Sequence, residues 1–139
     1  MEKHFPREMA SLNSVFDYIT EFMSQNGIDN SEAYSLQFVV EELFTNLMKY
    51  SRGGRNEIAV SLHRDQDSIV VQLTDFDVDE FDVTKVPDAK VDQPLEERKI
   101  GGLGVHLVRK MVDGMRYEYS DRVGRIIITK NLGRDDVQR

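Results

Sequence analysis

The sequence has no cysteine among its 139 residues, and it contains only three prolines. The absence of cysteine excludes disulfides, thiolate metal sites and cysteine nucleophiles, and it suits a cytosolic protein. No segment approaches the roughly 20 apolar residues that a membrane-spanning helix requires. The first residues are mixed and polar and lack the apolar core of a signal peptide. We therefore expect a cytoplasmic protein that does not enter a membrane.

Positive charge is also in short supply. Eighteen Lys and Arg residues stand against 25 Asp and Glu residues, which gives a formal net charge of −7. Sequence-independent binding to nucleic acid requires a basic face, so this balance argues against direct contact with nucleic acid. A basic protein, or a small ligand whose charge is screened by a metal ion, remains compatible with it. The length and the 40% hydrophobic content predict a single globular domain over residues 1–139.

Hydrophobic periodicity indicates the fold class. Apolar residues recur at helical spacing over residues 9–25, over residues 31–50 and after Gly101, whereas they alternate with polar residues in two runs joined by Asp65-Gln66-Asp67. Residues 2–6, 116–120 and 125–130 are further candidate strands, and residues 76–100 form a long acidic loop. This order predicts an α+β two-layer sandwich, with three main helices on one face of a mixed, mostly antiparallel sheet.

The second helix carries a carboxylate and an amide four residues apart, Glu42 and Asn46. This spacing places both on one face of the helix, one turn apart. The Asn46 side chain can give an oxygen to magnesium, and the Glu42 carboxylate can orient or deprotonate a hydroxyl. Spacing alone is equally compatible with two solvated helix residues, since polar pairs four apart are common.

Two further features flank the acidic loop. Asp75 ends an alternating strand, a position from which a carboxylate can face a ligand or simply begin a turn. Gly101-Gly102-Leu103-Gly104 opens the third helix, where glycines and free N–H groups can receive phosphates. The segment lacks the Gly-Lys-Ser/Thr of a Walker loop, and a flexible hinge is the alternative interpretation.

Taken in order, these features resemble the GHKL (histidine-kinase-like) ATPase superfamily, and the compact length is similar to its anti-sigma-factor serine/threonine kinases. The segment 40–46, Val-Glu-Glu-Leu-Phe-Thr-Asn, resembles the N-box helix. The segment 97–113, which contains Gly-Gly-Leu-Gly, resembles the second glycine box and is the most specific part. The resemblance spans residues 5–130 and implies the Bergerat-type ATP-binding fold.

The resemblance also implies roles for individual residues. Asn46 would hold Mg²⁺, Glu42 would be the general base, and Asp75 would accept a hydrogen bond from the adenine of ATP. Residues 83–100 would form the ATP lid, and Arg98 or Lys99 would contact the γ-phosphate. The nucleotide-binding residues expected on this basis are Asn46, Lys49, Asp75, Asp77, Arg98, Lys99, Gly101, Gly102, Leu103, Gly104 and Val105. The implied partners are an anti-anti-sigma protein, which is the substrate, and a sigma factor; the family is often dimeric, so a homodimer can form.

One position departs from the family pattern. The first glycine box reads Asp-x-Gly, but here Asp77 stands where the glycine is expected. A side chain and a negative charge next to the base would oppose nucleotide binding. A catalytically weak or inactive binding module that sequesters a partner therefore stays open as an alternative. A detached histidine-kinase ATPase domain is a further alternative, which the short length makes a poorer match.

Overall fold

A computed structural model of the chain describes residues 2–50, 57–85 and 102–132. The elements in chain order are β1 (Glu2–Pro6), α1 (Ser11–Gln25), α2 (Asn30–Tyr50), β2 (Glu57–Asp65), β3 (Ser68–Phe76), a short 3-10 helix (Val83–Lys85), α3 (Gly102–Met111), β4 (Gly114–Ser120) and β5 (Val123–Asn131). The strands of this part are paired in the order β1-β2-β3-β5-β4, and all four pairings are antiparallel. This confirms the predicted α+β class.

The alternating residues of the strands form one apolar face, and the helices cover that face. Val60 lies opposite Leu73, and Leu73 lies opposite Ile126, so that one row of buried side chains crosses three strands. Successive residues of a strand point to opposite faces, which is why the period-two pattern located this face. Helix α2 contributes the largest set of core residues, none more than 5% exposed: Ala33, Leu36, Val39, Val40, Leu43, Phe44 and Leu47.

The element boundaries differ from the predicted ones by a few residues. Helix α1 begins at Ser11 rather than near Met9, because the preceding turn is closed by the Ser11 amide, which donates to the Glu8 carbonyl at 3.1 Å. Strands β4 and β5 are longer than predicted, because pairing continues from Ser120–Val123 at the turn to Gly114–Thr129. Across residues 2–50, 57–85 and 102–132, no helix combines the length and the apolar composition needed to span a membrane.

A lysine at the end of β5 joins three elements. Lys130 Nζ donates to the carbonyl of Met111, the last residue of α3, at 3.0 Å. The same Nζ lies 3.8 Å from Glu32 Oε2 in the first turn of α2, and both side chains are less than a fifth exposed, at 15% and 19%. Lys130 thus links the start of α2 and the end of α3 to β5.

We expect Lys130→Met to lower the free energy of unfolding by about 1–3 kcal/mol, since it leaves a mostly buried carboxylate without its counter-charge and a helix-terminal carbonyl without its hydrogen-bond donor. Urea unfolding measures the change. The double variant Lys130→Met with Glu32→Gln should recover part of the loss, because it removes the stranded charge. Equal stability of the wild type and the single variant would contradict the role given to Lys130.

Candidate functional site

The predicted Glu–Asn pair lies at the rim of the buried face of α2. Asn46 is 2% exposed, and its Nδ2 donates to the Glu42 carbonyl, one turn earlier, at 2.6 Å. This hydrogen bond fixes the orientation of the amide group. Asn46 Oδ1 is buried and has no hydrogen-bond partner in the part of the chain that the structure describes. A buried acceptor without a partner is costly, so this oxygen is suited to a ligand.

Glu42 faces the glycine-rich start of α3. A Cβ built on Gly104 would lie 3.1 Å from Glu42 Oε1 and would overlap Oε2. Real Cβ atoms essentially never approach other atoms this closely, so only glycine fits at position 104 while Glu42 keeps its place. The residues that sequence reasoning assigned to two separate motifs are therefore in direct contact.

The surroundings of Glu42 favour the protonated form of its carboxyl group. Partial burial raises its pKa from 4.5, the nearby charge of Glu41 raises it further, and the charge of Lys49 opposes these effects. Lys49 itself is exposed in the last turn of α2. Because a general base works best when its pKa approaches the operating pH, this shift brings Glu42 closer to that role.

Asp75, the predicted adenine acceptor, is 1% exposed at the end of β3. Its Oδ1 accepts a hydrogen bond from Arg7 Nη1. Arg7 Nη2 donates to the carbonyl of Leu47 on α2 at 2.6 Å. Asp75 Oδ2 is buried and, within the described residues, has no hydrogen-bond partner. Asp75 and Asn46 thus each present one buried acceptor oxygen. Sequence reasoning missed Arg7, because a single arginine after Pro6 belongs to no motif.

Asp77 adopts the left-handed backbone conformation, with φ of 58°. This is the conformation that favours glycine, and aspartate is among the residues that tolerate it best. Arg122 Nε donates to Asp77 Oδ1 at 2.9 Å, and Arg122 Nη1 donates to Asp79 Oδ1 at 2.8 Å. Asp77 also lines a cavity of about 410 Å³ with His4 and Phe76, whose rings stack 5.7 Å apart. The charge that departs from the family pattern is therefore countered by Arg122.

The chain beyond Asp77 is held against the β4–β5 hairpin. The Val78 amide donates to the Arg122 carbonyl at 3.0 Å, and Tyr119 Oη donates to the Val78 carbonyl at 2.7 Å. The Phe81 amide donates to Tyr117 Oη at 3.0 Å. These contacts give the segment after β3 fixed attachment points next to Asp75.

The remaining predicted residues divide into two groups. Gly102, Leu103, Gly104 and Val105 belong to the first turn of α3, and Val105 is completely buried in the core. Arg98, Lys99 and Gly101 lie outside the described residues, as does most of the predicted lid, residues 86–100. Their contacts with a nucleotide stay predictions.

The chain is similar to known proteins over most of its length. A family model, the histidine kinase-like ATPase domain, matches residues 5–130. The serine-protein kinase RsbW of Listeria innocua is 27% identical, over 83% of this chain and 76% of that protein. The serine-protein kinase RsbW of Halalkalibacterium halodurans is 29% identical over the same shares of the two chains.

A solved structure has the same fold. The crystal structure of the RsbU and RsbW domains of a Mycobacterium tuberculosis protein superposes with a TM-score of 0.65 and 14% sequence identity. The match covers 96% of this chain, which spans only 33% of that longer chain. At this identity the likeness concerns the fold.

We expect Glu42→Gln to stabilise the protein increasingly as the pH rises from the ordinary pKa of glutamate, about 4.3, to the raised pKa of Glu42 in the folded state. The pKa of Glu42 is raised on folding, so the folded state holds its proton more tightly than the unfolded chain does. Stability is therefore lost as the pH rises through this interval, and glutamine, which has no charge, does not lose it. Urea unfolding across the pH range measures the difference. A pH-independent difference would contradict this account. Glu118→Gln, which removes an exposed carboxylate, is the control.

We expect Asp77→Ala to be less stable than Asp77→Gly by about 1–2 kcal/mol, because only glycine occupies a left-handed conformation without steric cost. Both variants lose the same carboxylate and its exposed contact with Arg122. The difference between their urea-unfolding midpoints therefore isolates the backbone conformation at position 77. Equal midpoints would show that the left-handed conformation is not maintained.

Proposed function

Because the chain belongs to the histidine kinase-like ATPase domain family, and because serine-protein kinases named RsbW are among its relatives, we propose that it is an ATP-dependent serine/threonine kinase that regulates a sigma factor. In this proposal it phosphorylates an anti-anti-sigma protein in the cytoplasm. Phosphorylation releases that protein and leaves the kinase able to hold the sigma factor.

The observation that supports the proposal is a pair of buried oxygens, Asp75 Oδ2 and Asn46 Oδ1, that have no hydrogen-bond partner among the described residues. Asp75 Oδ2 offers an acceptor to the amino group of adenine, and Asn46 Oδ1 offers one to magnesium. Magnesium is commonly held by one or two protein oxygens together with phosphates and water, so a single amide oxygen fits this use. When bound, the ion would neutralise phosphate charge.

The protein's own residues would supply positioning and a base. The start of α3 presents backbone N–H groups and the positive end of a helix dipole to the phosphates, and Gly104 lets a ligand or Glu42 approach closely. In the proposed reaction the substrate hydroxyl oxygen bonds to the γ-phosphorus, the bond from that phosphorus to the β–γ bridging oxygen breaks, and ADP leaves. The hydroxyl proton passes to the Glu42 carboxylate.

The decisive experiment is transfer of labelled phosphate from Mg-ATP to a cognate anti-anti-sigma protein. We expect Glu42→Gln to lower the rate constant about a hundredfold to a thousandfold, within the range typical of a lost general base. The wild-type rate should fall as the pH is lowered through the raised pKa of Glu42, because protonated Glu42 cannot accept the hydroxyl proton. Glu41→Gln, which removes the neighbouring carboxylate, is the matched control and should retain transfer.

A second variant tests the contact between the two motifs. Gly104→Ala should displace the Glu42 carboxylate and lower transfer about tenfold or more, while the melting temperature changes little because alanine is the better helix former. Gly114→Ala is the matched control, since its Cβ would make an ordinary contact with Thr129, 3.6 Å away.

The outcomes separate the alternatives. Equal transfer by the wild type and Glu42→Gln would remove Glu42 as the base. Mg-ATP binding without transfer to any anti-anti-sigma protein would support a binding module that sequesters a partner. Calorimetry that detects no binding of Mg-ATP would overturn the proposed kinase.

A further inference from the structure

Arg7 connects the end of β1 to Asp75 on β3 and to helix α2. It directly follows β1, and its side chain is 12% exposed. One nitrogen of the guanidinium donates to Asp75 on β3, and another donates to the Leu47 carbonyl on α2. The planar guanidinium has a rigid fork of donors, so it can hold two acceptors on different elements at a fixed separation.

This contact makes the two oxygens of Asp75 unequal. Arg7 binds Oδ1, whereas the equally buried Oδ2 has no hydrogen-bond partner in the described part of the chain. The guanidinium also provides the opposite charge that a carboxylate 1% exposed requires. Because Oδ1 is held and the guanidinium is itself anchored at Leu47, rotation of the carboxylate is restricted. Oδ2 is therefore a single acceptor with a fixed direction.

We propose that Arg7 is a specificity-determining positioning residue, which holds the Asp75 carboxylate so that Oδ2 selects a base with an exocyclic amino group. The proposal rests on the nucleotide-binding function proposed above. Adenine presents an amino donor on its six-membered ring, whereas guanine presents an acceptor oxygen at the same position and purine presents only hydrogen. A fixed, buried acceptor accepts the first, opposes the second and gains nothing from the third.

The substitution Arg7→Lys distinguishes positioning of the Asp75 carboxylate from general stabilisation of the fold. Arg7→Lys keeps a positive charge next to Asp75, but one ammonium group cannot reproduce the planar fork that binds Asp75 and Leu47 together. The carboxylate should then rotate, and the preference for an amino group should fall although the charge balance is unchanged. Arg116→Lys is the matched control, because Arg116 is 70% exposed on β4.

The test compares the affinity of the full chain for three magnesium-bound nucleotides by calorimetry: ATP, GTP and purine riboside triphosphate. The last of these differs from ATP only by lacking the amino group. We expect the wild type and Arg116→Lys to prefer ATP about tenfold or more, as a hydrogen bond to a charged acceptor implies. Arg7→Lys should reduce this preference to about threefold or less by the same conversion.

A second variant is needed in case the lysine of Arg7→Lys still holds the Asp75 carboxylate in its original orientation. Arg7→Met removes both donors, so it should lower the melting temperature and abolish the preference. An unchanged preference in both Arg7 variants, whatever their melting temperatures, would show that Arg7 only stabilises the fold and would overturn the proposal. Tighter ATP binding by Arg7→Met would also overturn it, because Arg7 would then obstruct the base.

The wild-type measurements distinguish this proposal from the proposed function itself. Equal binding of ATP and purine riboside triphosphate, or preferential binding of GTP, would overturn the role of Asp75 Oδ2 and Arg7 but leave nucleotide binding intact. Binding of none of the three would overturn nucleotide binding and the Arg7 proposal together.

Discussion

The packing of α2 against the antiparallel sheet is the interaction on which the site depends. Leu43, Phe44 and Leu47 are at most 3% exposed, and their burial fixes both the position and the rotation of the helix. A shift by one residue would turn the helix by about 100°, which would carry Glu42 away from α3 and Asn46 out of its buried position. The apolar contacts of α2 therefore determine where its polar groups lie.

Two carboxylates in the site have contrasting surroundings. Asp75 is held by Arg7 and is almost fully buried, which suits a fixed acceptor. Glu42 is partly buried next to Glu41, and these surroundings raise its pKa. Carboxylates in such different surroundings commonly have different roles, and the proposed function assigns adenine recognition to Asp75 and proton acceptance to Glu42. Helix α2 carries both Asn46 and the Leu47 carbonyl that anchors Arg7. The positions of Asn46 and of the Arg7–Asp75 pair therefore both depend on α2.

The sequence allowed the fold and part of the site to be predicted. Alternation with a period of two located the buried face of β2 and β3, and the family suggested by the Glu–Asn spacing and the Gly-Gly-Leu-Gly segment is confirmed by the family match. Arg7 could not be found in this way, because its contact with Asp75 joins residues 68 positions apart and arises only when β1 and β3 are placed in one sheet. The contact between Asp77 and Arg122 was likewise missed, because Arg122 lies on the distant β4–β5 turn.

The contact between Gly104 and Glu42 also constrains how this chain can evolve. Any substitution at position 104 adds at least a Cβ, and that atom meets the Glu42 carboxylate whatever the rest of the side chain is. The effect of a mutation at one position thus depends on the residue at the other, which is epistasis through direct steric overlap. A lineage that shortened Glu42 or turned its carboxylate aside would gain freedom at position 104, whereas one that keeps the carboxylate in its present place is restricted to glycine there.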